Sequence, residues 1–238
     1  MTTAIGIVCI GQKYQREFDE LFRPSVEFYC KKYGYTLHVF TDYIGARHPD
    51  LISFQKCLVP SALKQYDRVL VLDADILISP SAPPLPESTK IGVVDEVAQV
   101  SPAEYKAISF ASPPIQYYKM AGFDLKTTRI FNTGLLLTRP ALHAVFLEGI
   151  FNSYAMNSIG HPRGFHYEQS CVGYELQIND MYELLDNKWN WIVCLKQAPA
   201  YFAHFAGLGL NRKSAINNYN LFLTTHRAKG GLRWGIQK

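Results

Sequence analysis

Apolar positions along the chain fall into short branched runs separated by stretches of helical period. The first run covers residues 4–10 and ends at Gly11, which predicts a buried strand with Gly11-Gln-Lys-Tyr14 as the loop behind it. Phe18, Leu21, Phe22, Val26 and Tyr29 then recur at helical spacing, so a helix is expected over 18–33. Pro24 lies inside it as a point of kinking or restart, and Gly34 supplies the stop. A strand over 36–40, followed by Thr41-Asp42, precedes a second helix over 53–65 that contains Pro60. Residues 68–78 read as a third strand. Its segment 69–72 is apolar and branched, as a strand covered on both faces should be, and it delivers Asp73 and Asp75. Strands and helices alternating at this spacing imply an α/β fold with parallel strands and right-handed crossovers. Ligands in such sheets bind beyond the carboxyl ends of the strands, where Gly11, Asp42, Asp73 and Asp75 all fall.

The second half is less regular. Residues 79–88 are Pro-rich and read as an irregular surface loop. A strand over 91–94 ends in Asp95-Glu96, and 97–128 predicts a short helix and a long loop. Phe131-Asn132-Thr133 leads into a strand over 134–138. A helix over 140–157 follows, with Pro at its first position. A turn-rich loop (158–165), a helix (167–178) and strands at 181–185 and 201–205 complete the pattern, the last strand ending His204-Phe-Ala-Gly207. The polar, basic tail 211–238, with Gly230-Gly231, either folds over the site or stays loose. The expected organisation is one domain over 1–238, with a nucleotide-binding part near 1–95 and a sugar and acceptor part near 96–238.

Composition narrows the function classes. Aromatic residues make up 13% of the chain, which suits a ring-lined cleft as well as a ring-rich core. The net charge of +4 is spread over dispersed Lys and Arg. With no basic run, a nucleic-acid partner is not expected, while a small anionic ligand is favoured. Five scattered cysteines without a CxxC pair read as reduced thiols. The first residues carry no basic n-region and no apolar run reaches membrane-spanning length. The expectation is a soluble cytoplasmic protein, in the host cytoplasm if the source is a virus.

Two Asp one residue apart fit a core poorly, because their charges repel and need a cation or water to offset them. A hard divalent metal that also carries a diphosphate needs only one or two protein carboxylates. An apolar strand ending in Asp-X-Asp therefore suggests a metal–nucleotide site, with a solvated acidic turn as the alternative.

Taken in order, four motifs resemble those of GT-A-fold glycosyltransferases that use nucleotide sugars, above all the retaining families numbered 8 and 34. Residues 70–78, with the Asp-Ala-Asp core, look like the metal motif. Lys56, seventeen residues before Asp73, stands where family 8 commonly has a basic donor-binding residue. Phe131-Asn132-Thr133-Gly134 resembles the strand entry that contacts the donor sugar, and His204-Phe-Ala-Gly207 resembles the His-x-x-Gly whose imidazole is the third metal ligand. The likeness spans residues 4–213. A looser one, at residues 161–169, is to small soluble glycosyltransferases of large algal DNA viruses that decorate a capsid glycoprotein.

The resemblance implies a GT-A (Rossmann-like) fold with a mainly parallel central sheet and flanking helices. It implies Mn²⁺ or Mg²⁺ on Asp73, Asp75 and His204, with the ring nitrogen favouring Mn²⁺. The donor would be a UDP-sugar, contacted by Tyr14, Asp42, Lys56, Asp95, Asn132, Gly207 and Lys213. Glu168 and Gln169 would face the reacting carbon, either one able to serve a retaining transfer to a glycan or glycoprotein. Three departures stand out. Leu210 replaces an expected Lys, with Arg212 and Lys213 just beyond it. Glu168-Gln169 replaces Asp-Gln, and no secretory anchor is seen. Each residue also has a plainer explanation: a surface Tyr14, a turn Asp42, a solvated Lys56, a helix-capping Asp95, a strand-end His204 on a carbonyl, a helix N-terminal Glu168. A nucleotidyltransferase and a non-catalytic binding module are the competing functions. The first would want a Gly-rich basic loop where Gly11-Gln-Lys offers one of each.

Overall fold

The computed structural model of the chain describes residues 1–108, 111–207 and 211–227. Leu210 and Gly230-Gly231 lie outside the described residues. Strands β1 (Thr3–Val8), β2 (Thr36–Phe40) and β3 (Arg68–Leu72) lead to a short β4 (Ile76–Ile78), followed by β5 (Ile91–Asp95), β6 (Phe131–Thr138), β7 (Tyr182–Leu184), β8 (Trp191–Ile192) and β9 (Phe202–His204). Six of them form a central sheet in the order β2-β1-β3-β6-β5-β7, and β4-β9-β8 form a second, smaller sheet. Only β6 runs against its neighbours, so five of the six central strands point one way.

The central strands are largely apolar, yet alternate residues serve two separate layers. Ile5, Ile7, Leu70, Leu72, Leu135 and Leu137 pack on one face. Ala4, Val69, Val71, Ile91, Val93 and Leu136 pack on the other. The side-chain period of two sorts them. Helix α1 (Gln12–Glu17), which buries no residue, leads into a π turn at Phe18–Phe22 and helix α2 (Arg23–Tyr33), and these two cover the first face. A 3-10 segment Ser53–Leu58, helix α3 (Val59–Ala62), and the later helices α6 (Pro140–Tyr154) and α7 (Phe165–Ile178) cover the second. Two short helices, α4 (Pro102–Ala107) and α5 (Pro114–Lys119), form a side cluster, and α8 (Arg212–Arg227) returns to the first face.

Several expectations are corrected. The first helix begins at Gln12 rather than residue 18. Gly11 takes φ +101°, which only glycine adopts cheaply, and its carbonyl accepts from Gln15 N, so the turn closes at once. Tyr14 is therefore helical, not in a loop. Pro24 sits at the start of α2 directly after the π turn, where its missing N–H falls in altered helix bonding. The segment 53–65 divides into a 3-10 stretch (Ser53–Leu58) and the short α3, with Pro60 in its first turn. Residues 68–78 are two strands. The chain leaves the central sheet after Leu72 and enters the small sheet at Ile76. The 79–88 segment is irregular as expected, but it is strapped down, with Ala82 and Leu85 buried and Tyr29 and Tyr33 donating to the carbonyls of Pro83 and Ala82. Strand β8 and helix α8 had no counterpart in the apolar pattern. Among the described residues, no helix is long and apolar enough to cross a membrane.

Candidate functional site

A cleft of about 370 Å³ opens beyond the carboxyl ends of β1 and β3. Asp73 enters it from the end of β3, Asp75 from the approach to β4, and His204 from the end of β9. The pairing of Ile76 with His204 across β4 and β9 sets the imidazole beside both carboxylates. His204 Nε2 lies 3.2 Å from Asp75 Oδ1 and 3.8 Å from Asp73 Oδ2. One ligand atom from each of the three falls within 4.8 Å of the others. Gly134 makes room for this: a Cβ there would strike the His204 ring. Asp75 is held well below the usual carboxylate range. Burial opposes its charge, but His204 and Arg212 outweigh burial. Arg212, at the start of α8, donates to Asp75 at 2.7 Å and pairs with Glu17 at 2.9 Å.

The donor set fits a divalent cation. Four carboxylates line the cleft, on Glu17, Asp73, Asp75 and Glu168, against two cations, Lys56 and Arg212. When all four acids are ionised, they exceed those two cations by two charges. Two carboxylates with one imidazole suit Mn²⁺ better than a purely oxygen site would.

Lys56 projects from the 3-10 segment and is only 7% exposed. Its ammonium lies 2.7 Å from Asp73, 3.6 Å from Glu168, and donates to the Thr133 carbonyl at 3.2 Å. Burial disfavours its charge, but Asp73 and Glu168 prevail and hold it above the usual lysine range. Glu168, in the first turn of α7, is 2% exposed. Its Oε2 accepts from Thr133 Oγ1, while Oε1 has no partner among the described residues. Burial pushes its carboxyl up to about 7 against the pull of Lys56.

Gln169 is differently placed. Its Oε1 accepts from Asn132 Nδ2 at 3.1 Å, and its Nε2 donates to Tyr117 OH at 2.9 Å and Glu96 Oε2 at 3.3 Å. Asn132 also donates to Glu96, and its Oδ1 accepts from Gly134 N and Asn190 Nδ2. Burial pushes Glu96 up to about 7 as well.

Of the other predicted residues, Tyr14 and Gly207 line the cleft, Tyr14 half exposed. Asp95 does not. Its carboxylate accepts from Ile130 N and Val97 N, tying the loop after β5. Asp42 is outside too, bonded to Tyr43 N and Arg47. Lys213 is exposed and outside the cleft, and its neighbour Arg212 takes the inward position. His166 lines the cleft, while His161 stacks on Tyr167. Sequence reasoning missed Glu96, Asn190, Tyr117 and Glu17. For Glu96 the adjacent Asp95-Glu96 pair was the only signal.

No family model and no curated protein matches the chain. Solved structures do. A glycosyltransferase involved in glycosylation of the major capsid of PBCV-1 aligns with TM-score 0.60 and 16% identity, over 93% of this chain and all of that one. The galactosyltransferase LgtC, solved with donor and acceptor sugar analogues, aligns with TM-score 0.54 and 11% identity, over 91% and 95%. The bifunctional glycosyltransferase WbbM aligns with TM-score 0.57 and 11% identity, over 92% of this chain but 49% of its own. The chain has the GT-A fold of these glycosyltransferases. That fold was the expectation from the motifs, and the mixed six-stranded sheet bears it out.

Proposed function

We propose that the protein is a metal-dependent glycosyltransferase that moves a sugar from a nucleotide donor, a UDP-sugar, to a glycan or glycoprotein with retention. The observation that carries this reading is the convergence of Asp73, Asp75 and His204 in the cleft beside the unpartnered Oε1 of Glu168. Asp73, Asp75 and His204 would hold Mn²⁺ (or Mg²⁺), which when bound stabilises negative charge on the departing diphosphate as a Lewis acid. Arg212 is close enough to Asp75 to add a second positive charge for the diphosphate. Lys56 ties Asp73 and Glu168 together and keeps both carboxylates aimed into the cleft.

Between the two reacting-face candidates the hydrogen bonds favour Glu168. The amide of Gln169 is consumed at both ends, whereas Glu168 keeps a buried oxygen free. A carboxylate there stabilises positive charge growing on the anomeric carbon, or captures that carbon as an ester before the acceptor hydroxyl arrives. Asn132, with Gln169 behind it, walls the sugar side. Tyr14 offers a ring for the base. Asp42, Asp95 and Lys213 have no direct part in this reading. The capsid-glycosylating neighbour and LgtC motivate the acceptor class. Five free cysteines, four of them buried, support a reducing, cytoplasmic setting.

Calorimetric titration of UDP with and without Mn²⁺, repeated on Asp75→Ala, tests the reading. Binding that needs the metal and is lost in the variant supports it, and UDP-sugar hydrolysis then separates an enzyme from a binding module. Absence of UDP binding in both conditions moves the nucleotidyltransferase reading ahead.

A further inference from the structure

His204 does not stand alone behind the metal cluster. Its Nδ1 lies 3.0 Å from Asn190 Oδ1, and Asn190 is fully buried. The direction of that bond follows from fixed backbone groups. Gly134 N–H must donate, so the Asn132 atom it meets at 3.0 Å is the oxygen. The Asn190 atom 2.9 Å from that oxygen must then be the nitrogen, and the same nitrogen reaches the Asn132 carbonyl at 3.3 Å. The remaining amide atom of Asn190 is its oxygen, which can only accept. His204 therefore donates from Nδ1. In the neutral ring the lone pair sits on Nε2, the atom facing Asp73 and Asp75. The far end of the chain agrees: Asn132 Nδ2 donates to Glu96, whose carboxylate, when ionised, only accepts.

We infer that Asn190 is a positioning residue for the metal site, holding His204 in the Nδ1–H tautomer so that Nε2 is presented as a ligand. The inference rests on the metal reading above. A backbone-anchored amide chain does here what a carboxylate or carbonyl behind a ligand histidine does elsewhere, fixing tautomer and ring orientation. Asn190 touches no donor and does no chemistry itself, and it is not among the cleft-lining residues. Its conformation is further held by its own carbonyl, which accepts from Gln99 Nε2 at 2.8 Å.

The test compares wild type, Asn190→Leu and Asn190→Asp. Leucine keeps the branched shape but offers no acceptor, while aspartate keeps the acceptor. Long-range ¹H–¹⁵N NMR of His204 in the metal-free protein, recorded over a pH series, reads the tautomer. Calorimetry with Mn²⁺ alone reads the affinity. The expected result is a protonated Nδ1 in wild type, Mn²⁺ binding about 10–100-fold weaker in Asn190→Leu, and an intermediate affinity in Asn190→Asp. Wild type with a bare Nδ1, or Asn190→Leu binding Mn²⁺ as wild type does, overturns the inference. If Asn190→Leu does not fold, the wild-type ring measurement decides alone. Wild type that binds no Mn²⁺ brings down the metal reading itself and this inference with it, an outcome distinct from equal binding by wild type and variant.

Discussion

The two walls of the cleft satisfy their polar groups in different ways. On the metal side, charges face charges: Asp73 meets Lys56, Asp75 meets Arg212 and His204, and Glu17 meets Arg212. On the other side, amides face amides: Asn132, Gln169 and Asn190 use their donors and acceptors on one another, on Glu96, on Tyr117 and on the back of the His204 ring. Long-range charge tolerates an added ion and rearranges around it. A closed amide network does not, because each buried donor or acceptor left unpaired costs about 1–3 kcal/mol. Under the proposed reading the first wall takes the cation and the diphosphate, and the second keeps its shape. Glu168 stands at the seam, with one oxygen on Thr133 and the other free.

The sharpest break in this comparison comes from removing a charge on the first wall. Asp75→Ala should abolish Mn²⁺-dependent UDP binding in calorimetry, and it leaves Arg212 without its 2.7 Å partner. The amide wall should be unmoved, so far- and near-UV circular dichroism should match wild type. Loss of the folded signal would mean that the two walls are not separable.

At the seam, Glu168→Gln should lower sugar transfer about 10²–10³-fold with UDP affinity nearly unchanged, because the side chain acts on charge that appears only in the transition state. Its pH dependence follows from its burial. The carboxyl is pushed up to about 7, so it is protonated below that pH and ionised above it. If the carboxylate is the working form, wild-type activity rises as pH passes through about 7. The same rise should be absent from the residual activity of Glu168→Gln. A wild-type profile flat across that range would remove Glu168 from the reacting face.

How much of this was legible in the sequence depended on the kind of interaction. Alternating apolar runs with branched side chains announce buried strands, and β2 came out at the expected residues. Asp73, Asp75 and His204 carry the resemblance because they stand at motif positions, and the structure brings one potential ligand atom from each within 4.8 Å of the others. The amide wall was largely invisible. Asn190 lies 58 residues from Asn132, and Glu96 lies 73 from Gln169. Nothing local marks an Asn or Glu as the partner of a distant amide. Asp95 stayed between two readings for the same reason: an acid after a strand looks alike whether it faces a ligand or accepts backbone N–H groups, as this one does. Helix α8 escaped because its sequence is polar, with only Ile216, Tyr219 and Leu223 buried.

A smaller effect probes how the walls touch. Gly134 follows the amide wall's Asn132 and lies against His204, so Gly134→Ala should push the ring away from Asp75. Mn²⁺ affinity should fall about tenfold, the low end of what a displaced or poorly oriented ligand costs. Titration of Mn²⁺ by calorimetry reads this directly. Unchanged affinity would mean that the ring yields without losing its aim.

The smallest expected effects lie at the rim. Tyr14 is 51% exposed and belongs to neither wall. If its ring stacks on the base, Tyr14→Ala should weaken UDP by about 1 kcal/mol, the low end for a base on an aromatic face, since half the ring already meets solvent. Lys213→Ala, one residue from the inward-facing Arg212 but itself exposed, should leave UDP affinity unchanged. Measured side by side by calorimetry at one salt concentration, the pair separates contact from mere nearness. A loss at Lys213 equal to that at Tyr14 would argue that diffuse positive charge, rather than a shaped base pocket, draws the nucleotide in, and raising the ionic strength would then erase it.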